Sequence, residues 1–292
     1  MESSLYMTRS FAKINLGLQV IRRRADGYHE LSTGFCFLDW SDRMEMKRSE
    51  SGKIICDDDS IPAGKENLIH KASALFNREL GKSSFYEIKL DKRIPAGAGL
   101  GGGSSNAASM LKMMNKDHNE PFSTDQLSKI GGALGADIPV FIHGKTAIGS
   151  GTGTDLEFIS VQPDAWIVTV FPNIHSSTAE AYRFCEPTGE PDIPLKDIFQ
   201  NYEIEEWPSL LFNDLEPGII ARYPQIGNLK DQMYDMGAAY AAMSGSGSSV
   251  YGLFLQEMAA LEAYQYLIEL EYRANLTSPE FTPDMGVYRT DL

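Results

Sequence analysis

Over much of the first hundred residues, hydrophobic and polar side chains change places at every second position. In residues 13–20 the apolar set is Ile14, Leu16, Leu18 and Val20, a period of two that predicts a β-strand with one buried face. Residues 34–38 and 43–47 read as further strands, and residues 22–27 as a charged turn before them. The alternation lapses at residues 66–80, which suit a helix, and returns at residues 87–94, where Ile88, Leu90 and Ile94 sit among charges. A glycine-rich turn and a second helix follow. Pro121 stops that helix, and Ser123 with Gln126 three residues on offers a capping box for the next. Beyond Gly144, glycine and threonine separate short strands, and Trp166 begins what reads as a second lobe. Residues 238–243 and 249–255 flank another glycine turn, and residues 258–272 place Leu261, Tyr264, Leu267 and Ile268 on one helical face. No repeat and no low-complexity linker interrupts this order. It predicts an α+β protein of two tightly packed lobes, residues 1–160 and 161–292.

Composition narrows the partners. The 292 residues carry 26 basic and 40 acidic side chains, a formal net charge of −14, which argues against nucleic acid as the main partner. An acidic protein can still hold an anion, because backbone amides at a helix start do so whatever the net charge. The three cysteines, Cys36, Cys56 and Cys185, show neither metal spacing nor a disulfide framework, so a reducing cytoplasm is the expected setting. No apolar run approaches the length of a membrane span, and the first ten residues lack a signal-peptide core. Oligomeric state is left open.

Residues 95–109 carry the strongest chemical signal. Gly97, Gly99, Gly101, Gly102 and Gly103 lead directly into Ser104, Ser105 and Asn106, residue types that cap helix starts. Glycine lets a ligand approach the backbone closely, and free N–H groups with the positive end of the helix dipole bind phosphate. Two common phosphate loops fail here on their mechanics. A P-loop ends in a lysine that reaches the outer phosphates, and the first lysine here is Lys112, well inside the helix. Gly97, Gly99 and Gly102 satisfy the G-x-G-x-x-G of NAD-binding oxidoreductases, yet that fold needs an apolar parallel strand before the loop and a second strand after its helix. Residues 87–94 are half charged and residues 115–124 are polar and turn-like, so the dehydrogenase reading is the weaker one.

The whole loop resembles the central motif of the kinase superfamily named for galactokinase, homoserine kinase, mevalonate kinase and phosphomevalonate kinase (GHMP), which wraps ATP without a P-loop lysine. Two further stretches resemble the same superfamily in the same order: Ala12-Lys13-Ile14-Asn15-Leu16 its first motif, and residues 243–252 its third. Arg24-Ala25-Asp26-Gly27-Tyr28-His29-Glu30-Leu31 and the segments at 135–141, 177–182 and 213–216 are similar to one branch, the kinases of 4-diphosphocytidyl-2-C-methylerythritol in the non-mevalonate isoprenoid pathway. The resemblance implies a two-lobed fold, with an N-terminal lobe of ribosomal-protein-S5-like type, a C-terminal α/β sandwich and the active site between them. It also implies phosphorylation of the substrate's 2-hydroxyl by ATP. Homoserine or mevalonate is the alternative acceptor within the superfamily.

It further implies roles for particular residues. ATP is expected on Pro95, Ala96, Gly97, Ala98, Gly99, Leu100, Gly101, Gly102, Gly103, Ser104 and Ser105, with Asn67 near the adenine. Asp137 falls on the position of the base and Lys13 on that of its partner; a cation beside a carboxylate favours its ionised form and offsets charge on the moving phosphoryl group. Tyr28 and Tyr182 fall where aromatic rings flank the cytosine, His29 where a side chain hydrogen-bonds the base, and Asn15 and Thr178 on other substrate contacts. Mg2+ is expected with ATP, through Ser104 or Ser105 and no ligand that the sequence singles out. One departure is Thr154, where this group usually has glutamate.

Overall fold

A computed structural model describes residues 4–291. The alternating first segment becomes a long hairpin in which β1 (Ser4–Arg23) runs antiparallel to β2 (His29–Ser49). The two strands expected at 34–38 and 43–47 are one. Between them the register shifts, Ser41 facing Phe11 and Leu38 facing Ala12, and such a bulge bends a strand without ending it. Strand β3 (Lys53–Cys56), helix α1 (Leu68–Leu80) and strand β4 (Phe85–Asp91) follow. On β4 the side chains of Tyr86, Ile88 and Leu90 are buried, as the alternation predicts.

Three helices, α2 (Gly102–Asp117), α3 (Thr124–Gly132) and α4 (Ile138–His143), then pack together and share a core with the sheet. The expected capping box opens α3: Ser123 accepts from the Gln126 amide at 3.3 Å, and the Gln126 side chain accepts from the Ser123 amide at 2.8 Å. Strand β5 (Ala147–Ser150) pairs with residues 33–35 of β2 and with β6 (Asp155–Phe158).

The second sheet begins at β7 (Trp166–Phe171). After α5 (Thr178–Arg183), α6 (Leu195–Asn201), α7 (Glu216–Arg222) and α8 (Pro224–Asp235), the hairpin of β8 (Tyr240–Met243) and β9 (Val250–Phe254) joins it. Helix α9 (Glu257–Glu269) and β10 (Arg273–Thr277) complete an antiparallel sheet of order β10-β7-β9-β8. The last strand, β11 (Tyr288–Asp291), crosses back to the first sheet and pairs with β1, giving the order β11-β1-β2-β4-β3.

Both faces of the β1–β2 hairpin are buried. Phe11, Phe35 and Phe37 pack with the helices of the first sheet, while Ile14, Leu16, Cys36 and Leu38 pack with Ile167, Tyr251 and Leu253 of the second. The alternation at 13–20 therefore does not mark a solvent face. Lys13 and Asn15 are only 3% and 4% exposed, and their polar row borders a cleft. On α9 the expected face is also rotated: Ala260, Ala263 and Leu267 are buried and Ile268 is exposed. Two alanines let the helix lie close to its sheet, a choice that ranking by hydrophobicity alone misses. Among the described residues, no helix is long and apolar enough to cross a membrane.

Candidate active site

A cleft of about 1290 Å³ gathers residues that lie far apart in the chain. Its walls include Lys13 and Asn15 from β1, Tyr28 from the hairpin turn, His29 from the start of β2, Asn67, all of residues 95–104, Asp137, Thr178, Tyr182 and the glycine turn at 245–247. Ser105 alone among the expected site residues is not on the wall. It is 1% exposed, and its hydroxyl has no hydrogen-bond partner among the described residues.

The glycine loop is built somewhat differently from its sequence expectation. Helix α2 starts at Gly102, and its N-cap is Gly101 in the left-handed region with no side-chain cap, so Ser104, Ser105 and Asn106 lie inside the helix. The amides of the first turn consequently have no side chain bonded to them and no acidic residue among them, which suits an anion. Two glycines are explained by protein neighbours. At Gly99 a Cβ would lie 2.3 Å from the Ser244 carbonyl oxygen, and at Gly101 2.7 Å from the Phe141 ring and 3.2 Å from the Lys13 side chain. The missing side chains let the second glycine turn and Lys13 come up against the loop.

That convergence is hydrogen-bonded. The Lys13 amide donates to the Leu100 carbonyl at 3.0 Å, and the Ser249 amide to the Ala98 carbonyl at 3.1 Å. The Ser244 hydroxyl donates to the Gly99 carbonyl at 3.0 Å and accepts from the Asn15 amide at 3.2 Å. Three segments with motif character, on β1, at 95–103 and at 244–249, thus meet at one point.

Lys13 and Asp137 meet there as well, with Nζ 3.4 Å from Oδ2. Asp137 occupies the N-cap position of α4 yet makes no capping hydrogen bond, so its carboxylate is free of the commonest duty of an aspartate before Ile-Pro. Lys13 also donates to the side chain of Asn15 and to the Gly99 carbonyl, and lies 5.7 Å from the centre of the Phe35 ring. Asn15 in turn donates to Thr33 at 2.8 Å, and Thr33 to the Gly17 carbonyl at 2.6 Å. The lysine is therefore held in one orientation from several sides.

At the opposite end, His29 and Tyr182 stack with ring centres 4.8 Å apart and planes 21° apart. Burial, and then the charge of Arg23, holds the His29 imidazole below its ordinary pKa; burial, and then Asp137, pushes the Tyr182 phenol up. Both rings are neutral near pH 7. Tyr28, in the hairpin turn, is 67% exposed. Thr178 begins α5, and its hydroxyl is 3.2 Å from that of Ser246. Asn67 lines the cleft, but its oxygen caps α1 by accepting from the Ile69 amide at 2.9 Å and its nitrogen donates to the Pro62 carbonyl at 2.7 Å, so its amide already serves the fold.

Several wall residues went unmarked in the sequence. Arg23 and Arg183 are exposed cations on the wall with no ion pair among the described residues. Arg23 is the cross-strand partner of His29, and Arg183 follows Tyr182 in α5. In the sequence the first is one of several charges in the stretch 22–27. Gly245 and Ser246 belong to a recognised glycine motif, a signal that was available. Thr152 lines the cleft, with its hydroxyl 3.3 Å from that of Thr154. Among the described residues no three His, Cys, Asp or Glu side chains gather as a metal site.

Comparison with known proteins decides the family. Residues 67–145 match the family model for the GHMP kinases N terminal domain, and residues 199–273 that for GHMP kinases C terminal. The 4-diphosphocytidyl-2-C-methyl-D-erythritol kinase of Chlorobium limicola is 39% identical over 279 residues, 94% of this chain and 97% of the relative. The chain belongs to the 4-diphosphocytidyl-2-C-methyl-D-erythritol kinase family. A crystal structure of 4-(cytidine 5'-diphospho)-2C-methyl-D-erythritol kinase superposes with a TM-score of 0.78 at 33% identity, covering 93% of this chain and 98% of that one. Homoserine kinase from Cytophaga hutchinsonii has a TM-score of 0.70 at 16% identity, covering 98% and 97%, which shows a shared fold and no more. The two-lobed GHMP kinase fold expected from the motifs is thus the observed one. In this structure Lys13, Asp137 and the glycine loop converge in one cleft.

Proposed function

We propose that this chain transfers the γ-phosphoryl group of ATP to the 2-hydroxyl of 4-diphosphocytidyl-2-C-methyl-D-erythritol. The observation that carries the reading is the Lys13–Asp137 pair, lying in one cleft with the uncapped start of α2 and with the His29–Tyr182 stack. The acceptor oxygen gives its proton to Asp137 as it bonds to the γ-phosphorus, the bond from that phosphorus to the β-bridging oxygen breaks, and ADP leaves. Lys13 orients the carboxylate and offsets charge on the moving group.

ATP phosphates fit residues 95–104, where main-chain amides supply the donors. Mg2+ would travel with the phosphates, and Ser104 is the hydroxyl of the serine pair on the cleft wall. The cytosine is read by His29 and Tyr182, with Tyr28 free to add a second face, and Asn15 and Thr178 hold the rest of the acceptor. His29, neutral, can donate with one ring nitrogen and accept with the other. Arg23 and Arg183 supply positive charge for the diphosphate in a chain of net charge −14. We take residues 1–160 and 161–292 as the two lobes, save that the C-terminal strand β11 returns to the first sheet, and the cytoplasm as the setting.

ADP release measured with this acceptor tests the reading. Turnover is expected with the wild type and lost in Asp137→Ala that keeps its fold by circular dichroism. Equal turnover of homoserine or mevalonate would overturn the choice of acceptor, and undiminished turnover in Asp137→Ala would overturn the base.

A further inference from the structure

Beneath the glycine loop lies a buried charge that the chemistry above does not use. Asp42, on β2, is fully buried, and both of its oxygens are saturated. Its Oδ1 accepts from the amides of Arg93 and Ile94, each at 2.8 Å. Its Oδ2 accepts from Lys92 Nζ at 2.6 Å and from Asn106 Nδ2 at 2.9 Å. Lys92, itself 3% exposed in its side chain, also donates to the Ile94 carbonyl at 2.7 Å.

The positions of these partners matter more than their number. Arg93 and Ile94 immediately precede the loop; Asn106 stands one turn inside α2, immediately after it. Lys92 Nζ reaches the same helix start, 3.1 Å from where a Cβ on Gly102 would lie. One carboxylate therefore fastens both ends of residues 95–101, and the span between those ends sets the aperture of the loop. A lysine beside the positive end of a helix is unfavourable by itself, and Asp42 neutralises it in place. Buried ion pairs add little net stability compared with apolar replacements, so this one is better explained by the conformation it fixes.

We infer that Asp42 is a positioning residue for nucleotide binding: it holds the glycine loop at the width that accepts a triphosphate, without touching the ligand. The inference rests on ATP occupying that loop, as proposed above. Asp42→Asn keeps an oxygen for the Arg93 and Ile94 amides but turns an NH2 toward Lys92 and Asn106, donor against donor. It releases Lys92 and the helix end while keeping the two amides that precede the loop. Asn106→Ala releases the same end with no change of charge.

The test is calorimetry of wild type and both variants with two probes, Mg2+ adenosine 5′-(β,γ-imido)triphosphate and cytidine 5′-diphosphate, alongside steady-state kinetics. For Asp42→Asn the affinity for the ATP analogue is expected to fall about tenfold, equivalent to about 1.4 kcal/mol. KM for ATP is expected to rise with it, while cytidine diphosphate binding and KM for the acceptor stay within about twofold. Asn106→Ala is expected to shift the same way by about threefold, less than half of that free energy, and carries the test if Asp42→Asn does not fold. Unchanged or tighter ATP-analogue binding in the folded variants would overturn the inference. So would an equal loss for both probes, which would mean general loosening. A wild type that ignores the ATP analogue would instead remove the reading on which the inference stands.

Discussion

At the glycine-loop end of the cleft much of the wall is main chain, packed closely against its neighbours. Gly99 is wedged against the Ser244 carbonyl, Gly101 against Phe141 and Lys13, and the ends of the loop are fastened to Asp42. At the other end the groups are side chains: Tyr28 and Arg23 at an exposed hairpin turn, and Thr178, Tyr182 and Arg183 on a helix of six residues. On the proposed reading, the difference follows from what each end would bind. A triphosphate presents the same oxygens in any nucleotide kinase, and backbone donors at a fixed spacing suffice. An acceptor is distinguished by its base and its charge, which only side chains can read. Lys13 and Asp137 lie between, tied to the loop on one side and to Asn15 on the other.

The largest expected effect is at that junction. Asp137→Asn keeps the shape and removes the proposed base, and is expected to lower kcat by about 10²–10⁴, with little change in the affinity of either ligand. Single-turnover rates with equilibrium titrations check this; an equal loss in both binding and rate would mean that Asp137 only holds the cleft together.

Next comes Gly99→Ala. Its backbone, at φ +74°, costs an alanine roughly 1–2 kcal/mol, before its Cβ meets two carbonyl oxygens of the second turn. ATP affinity is expected to drop by at least about tenfold, together with a lower melting temperature, while cytidine diphosphate binding persists. Parallel loss of both ligands would break the contrast between the two ends.

Tyr182→Ala is the converse. Removing an aromatic partner of a base costs about 1–3 kcal/mol, so acceptor affinity is expected to fall about 5- to 150-fold with KM for ATP unchanged. The smallest effect is that of Arg23→Gln with Arg183→Gln. These exposed cations are expected to contribute about 1 kcal/mol, roughly fivefold, and only to ligands with a diphosphate. Titration with cytidine 5′-diphosphate and with cytidine separates the cases: the wild type is expected to prefer the diphosphate and the double variant not to. A preference kept in full would remove both arginines from the site.

Legibility in the sequence divides along the same line. The glycine loop announced itself because only glycine tolerates its backbone and its crowding, and Lys13 and Asp137 could be matched by their motifs. Even so, the reason for Gly99 and Gly101 was hidden, since Ser244 and Phe141 come near only in the fold. The acceptor end is written in ordinary residues. Tyr182 or Arg183 read alone is a surface side chain of a short helix, and only resemblance to a family singled out the tyrosine. Alternation gave β4 correctly because one of its faces is wet. It gave β1 as a strand too, but alternation alone does not tell that the polar face there borders a cleft and that both sides are buried. Asp42 was invisible for a related reason: an aspartate among strand residues looks solvated until the chain from residues 92–106 folds over it.

The position of the transferred phosphate tests the central claim most directly. In 4-diphosphocytidyl-2-C-methyl-D-erythritol the 2-hydroxyl is on a carbon that carries a methyl group and no hydrogen, whereas the other free hydroxyls are on carbons that bear hydrogens. Phosphorus NMR of the product made by wild-type protein from this acceptor and ATP is predicted to show one new monoester signal without coupling to a proton. A new signal split by carbinol protons, or no new signal while ADP accumulates, would contradict the account.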